Sequence, residues 1–87
     1  PQILMRLAEA AQASPTFKQL LYDIILATKE TPGLHVAAAN AITILNKAGE
    51  NFCGRDFSDI QIPGADLSAS QCAQTNFRGA NLAGVNF

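Results

Sequence analysis

The chain has 87 residues, enough for one small domain and no more. Six Lys and Arg against seven Asp and Glu leave a formal net charge of −1. That balance excludes the basic footprint by which nucleic acid or an anionic membrane surface is bound. No apolar run approaches the roughly 18 residues that a spanning helix needs. Two cysteines, Cys53 and Cys72, are too few for a disulfide framework and lack metal-ligand spacing, so the expected setting is reducing and cytoplasmic. The chain starts on Pro1 and stops on Phe87, and is expected to be a piece of a longer protein.

Residues 1–49 read as a helical cap of about three helices. Ile3, Leu4, Leu7, Ala8 and Ala11 recur at helical spacing and predict a short first helix that fades into Ala13-Ser14. Ser14-Pro15 is a start signal: a side-chain oxygen to cap free amides, then a residue whose missing N–H costs nothing in the first turn. Phe17, Leu20, Leu21, Ile24 and Ile25 then form one apolar stripe, with Lys29 suited to the negative end of the dipole. Thr31-Pro32 repeats the start signal for a third helix through Leu34, Ala38, Ala41, Ile42 and Leu45, and Gly49 is placed to end it. Its alanines leave little bulk, so it can lie close against whatever it covers.

Residues 50–87 follow a different rule. Every fifth position is a core-type side chain: Phe52, Phe57, Ile62, Leu67, Cys72, Phe77, Leu82 and Phe87. The residue before each is Asn51, Asp56, Gln61, Asp66, Gln71, Asn76, Asn81 or Asn86. All four glycines here, Gly54, Gly64, Gly79 and Gly84, lie two places after a central residue. Period five fits neither the 3.6 of a helix nor the 2.0 of a strand, so it reports a repeat architecture. Four units are expected to make one square circuit, with the central residue inward, the amide or acid outward and the glycine at a corner that needs positive φ. Circuits would stack about 4.8 Å apart. Phe52 is then expected over Cys72, Phe57 over Phe77, Ile62 over Leu82 and Leu67 over Phe87.

Ala65-Asp66-Leu67-Ser68 and Ala80-Asn81-Leu82-Ala83-Gly84 closely resemble the A-(D/N)-L-x-x consensus of pentapeptide-repeat proteins. Glu50, Arg55 and Ile60 depart from it, standing where a small residue is usual. The stretch Ala38-Ala39-Asn40-Ala41-Ile42-Thr43-Ile44-Leu45, followed by Gln61-Ile62-Pro63-Gly64-Ala65-Asp66-Leu67-Ser68, is similar to the helix-to-repeat junction of proteins that join a NACHT-like NTPase module to a WD-repeat propeller. The resemblance implies an α+β fold class: about three N-terminal helices capping a right-handed quadrilateral pentapeptide-repeat β-helix of about two coils. Two coils are thin, so the helices are expected to share one cooperative unit with them, the third acting as lid.

Chemistry is sparse. His35 has no His-x-x-x-His partner and reads as a surface residue. Cys72 takes an inward slot as a small apolar filler, and Cys53 faces outward. Asp56, Asp59 and Asp66 lie on outer faces as solvating charges. No phosphate-cradling glycine motif occurs. The expectation is therefore no catalytic, cofactor-binding or metal residue, and a core ladder of the eight central side chains. The resemblance implies a non-enzymatic structural and protein–protein interaction module, a spacer or scaffold in a multidomain protein. Its partner is a protein of unknown identity, with neither nucleic acid nor membrane. Further coils are expected to follow in the native protein, and in isolated material the open end over Cys72–Phe87 is expected to pair two copies end to end. A second reading takes the chain as part of a DNA-mimicking pentapeptide protein that binds a topoisomerase. That mimicry needs a long, strongly negative rod.

Overall fold

The computed structural model describes residues 2–87. Helix α1 spans Gln2–Ala13, α2 Pro15–Ala27 and α3 His35–Lys47, with a 3-10 turn at Pro32–Leu34 before α3. Ser14 is extended, and its hydroxyl accepts the Phe17 N–H at 3.1 Å while Pro15 opens the helix. Such a cap is worth about 1 kcal/mol. The start at Thr31-Pro32 works differently. Thr31 makes no side-chain cap, and the first turn tightens to 3-10 before α3 begins at His35. Gly33 in that turn is a poor helix former, which favours the delay. Gly49 follows α3 with φ of 81°, the left-handed conformation that ends a helix.

The three helices pack on one another and on the first part of the repeat segment. Ala8 and Ala11 of α1, Leu21, Tyr22 and Ile25 of α2, and Ala38, Ile42 and Leu45 of α3 share one core with Phe52, Phe57, Ile60, Ile62, Ala65 and Leu67. The apolar stripes are only partly used. Ile3, Leu7, Leu20 and Leu34 remain exposed, and Tyr22, outside the expected stripe, is buried instead.

The expected fold class needs correction. The described residues hold three α-helices and one 3-10 turn but no β-strand and no sheet, so they are not helices capping a quadrilateral β-helix. What joins positions twenty apart is four isolated parallel bridges: Asn51 to Gln71, Asp56 to Asn76, Gln61 to Asn81 and Asp66 to Asn86. The physical reason is the turn. Each central carbonyl from Phe52 to Leu82 accepts the N–H three residues on, as in Arg55 to Phe52 at 3.1 Å and Thr75 to Cys72 at 3.0 Å. The residue two after the centre takes φ between 56° and 79° at every corner from Gly54 to Gly84. This is the type II turn, which requires positive φ at its third residue. With a turn in every five residues, one bridging residue remains per unit, and a ladder of successive pairs cannot form. Three corners are not glycine: Asp59, Ala69 and Gln74 hold the same left-handed φ.

Candidate functional site

The repeat segment is described from its outward slot inward. Asn51 Oδ1 accepts the Cys53 N–H at 2.8 Å, and Asp56, Asp66, Asn76 and Asn81 do the same two residues on. These bonds rigidify the five turns that hold them, and they explain the Asn and Asp residues there better than exposure does. Gln61 and Gln71 are one methylene longer and make no such bond. Ser58 and Ser68 add hydroxyl bonds to Asp56 and Asp66, each at 2.6 Å. With the N–H of the same serine, and with Lys29 or Lys47 nearby, they hold both carboxyls below the usual range, Asp66 at about 2.

The first circuit's free backbone edge is bonded by helix side chains. The Gln61 N–H donates to Thr28 Oγ1 at 2.9 Å, and the Asp66 N–H to Thr43 Oγ1 at 3.0 Å. Asn46 Nδ2 donates to the carbonyls of Asp66 and Ser68 at 3.2 and 3.0 Å. Thr28 is fully buried at the end of α2, and its own hydroxyl donates to the Ile25 carbonyl. Residues of both α3 and the end of α2 therefore bond this edge, the third helix having been expected as the lid.

Glu50 and Arg55, two of the departures from the small-residue slot, also serve this junction. Tyr22 Oη donates to Glu50 Oε1 at 2.8 Å, Lys18 lies 3.2 Å from Glu50 Oε2, and the Arg55 guanidinium sits 3.8 Å above the Tyr22 ring. Burial and the Glu50 carboxylate push the Tyr22 hydroxyl pKa well above its ordinary value. Lys29 pairs with Asp56 at 3.8 Å and Lys47 with Asp66 at 3.3 Å. In all three ion pairs the cation lies on the helical side and the carboxylate at positions 50, 56 or 66. Exposed pairs of this kind contribute about 0–1 kcal/mol each. Leaving a buried backbone N–H without its acceptor costs about 1–3 kcal/mol. The threonine and asparagine bonds therefore dominate the polar part of the junction.

The eight central residues form a graded ladder. Phe52, Phe57, Ile62 and Leu67 are buried, Cys72, Phe77 and Leu82 are half-buried, and Phe87 is 64% exposed. Aromatic contacts run along it from the helices to the open end. Ring centroids are 6.4 Å apart for Tyr22–Phe52, 5.8 Å for Phe52–Phe57, 6.0 Å for Phe57–Phe77 and 6.3 Å for Phe77–Phe87. Cys72 Sγ lies 2.8 Å from Ser70 Oγ, and both cysteines are free. His35 is exposed, with Nδ1 3.1 Å from the Pro32 carbonyl.

Among the described residues no group of three or more His, Cys, Asp or Glu could hold a metal ion, and no helix is long and apolar enough to cross a membrane. The surface that remains is the face of the second circuit, apolar at its centre and rimmed by backbone. Tyr22, Thr28, Thr43 and Asn46 were not singled out from the sequence. The signal that could have found them is Glu50 and Arg55, charged residues in slots that favour small ones. No curated protein and no solved structure is significantly similar to the chain. Residues 63–87 match the family model described as Pentapeptide repeats (8 copies), which supports the pentapeptide-repeat family for this part of the chain and with it a structural or protein-interaction repeat.

Proposed function

We propose that the chain is a non-enzymatic interaction module, a spacer or scaffold in a multidomain protein, whose helices close one end of the repeat. The observation that carries this reading is the one-sided ladder. Leu67 is 1% exposed beneath the helices, while Phe87, one circuit further, is 64% exposed. Apolar side chains inside an unpaired backbone rim invite cover, by a partner protein or by further repeats of the same polypeptide. The polar groups that enzymes use are engaged in structure here: Asp56 and Asp66 in turns, Glu50 and the Tyr22 hydroxyl with each other. On this reading the module stands between a NACHT-like NTPase and a WD-repeat propeller, and its two free thiols suit the cytoplasm.

DNA mimicry gains no support from the charge distribution. Asp56 and Asp66 are each neutralised by a lysine, so no continuous negative face forms along the turns.

Site-specific photo-crosslinking tests the reading in the intact protein. A photoreactive side chain at position 87 is expected to capture a protein, and one at position 36, exposed on α3, is not. Leu82→Asp should abolish the capture from position 87. Adducts from position 36 alone, or adducts indifferent to Leu82→Asp, would refute the module.

A further inference from the structure

We draw no further inference here: the strongest candidate, the apolar groove between α1 and α3 lined by Ile3, Leu4, Leu7 and Ile44, carries nothing because nothing in the structure shows what covers it.

Discussion

Tyr22 donates its hydroxyl hydrogen to Glu50 across 2.8 Å, which ties the middle of α2 to the first residue of the repeat segment. The ring is 3% exposed, lies edge-on to Phe52 and carries the Arg55 guanidinium on its outer face. One side chain thus joins the aromatic ladder, a carboxylate and a cation.

Tyr22 should resist ionisation. Its hydroxyl pKa is raised in the folded chain, so the neutral form stabilises the fold, fully below the ordinary tyrosine value of about 10, with loss as pH climbs toward the raised value. The chain has one Tyr and no Trp, so phenolate absorbance reports this residue alone. Absorbance should stay flat through pH 10 and rise only with loss of helical circular dichroism. A normal phenolate titration of the folded chain would disprove it.

Thr28→Val should destabilise the chain by about 1–3 kcal/mol, because it removes the acceptor of the Gln61 N–H at a fully buried site. Thr28→Ser keeps the oxygen and should lose less. Urea unfolding of both variants against the parent measures the difference, with the slope unchanged.

Gly79 and Gly54 share the left-handed backbone, but their surroundings differ. A Cβ at Gly54 meets nothing, whereas one at Gly79 runs into the Asp59 carboxylate. Gly54→Ala should cost about 1–2 kcal/mol from conformation alone. Gly79→Ala should cost more, and pairing it with Asp59→Gly should recover the excess. Thermal unfolding of these single variants, of Asp59→Gly alone and of the double variant separates strain from clash, because Asp59→Gly alone measures the strain relieved at position 59.

Gln71→Asn should stabilise the chain by about 0.5–1.5 kcal/mol, by giving the Ala73 N–H the acceptor that Asn51 gives Cys53 one circuit above. Gln71 lies in an exposed slot, so no packing is lost. A lower midpoint in urea would contradict the role assigned to that slot.

The acid limb of stability should follow Asp56 and Asp66. Both pKa values are depressed in the fold, so their contribution is present above the unfolded value near 4. It is lost as pH falls through the folded values, about 2 for Asp66. Ser68→Ala removes the first cause of that depression and should move the Asp66 titration, followed by carboxyl NMR shifts, back toward 4.

How far could these features be read from the sequence? The twenty-residue register was legible because one central side chain recurs every five positions from Phe52 to Phe87 without a slip. The corners were legible from glycine at four of them, which extends to Asp59, Ala69 and Gln74 because the turn imposes its φ whatever the residue. The β-helix expectation failed for the same reason: a turn in each unit leaves isolated bridges where strands were anticipated. The junction was not legible. Thr28, Thr43 and Asn46 are ordinary helix residues until the repeat folds back onto them, and no helical periodicity marks a side chain that bonds a distant backbone. Glu50 and Arg55 looked like defects in the pattern until Tyr22 supplied their partner.

The graded cover on the ladder also sets how the molecule yields to force. Tension applied at Phe87 meets the ten backbone hydrogen bonds between the circuits and the side-chain bonds of Thr75 and Asn76, each loaded in turn as this winding peels away unit by unit. The first winding, gripped by α2 and α3, should hold until those helices are torn loose together. A tether attached at this end would therefore lengthen in small steps before it breaks, giving a graded extension ahead of a single abrupt rupture.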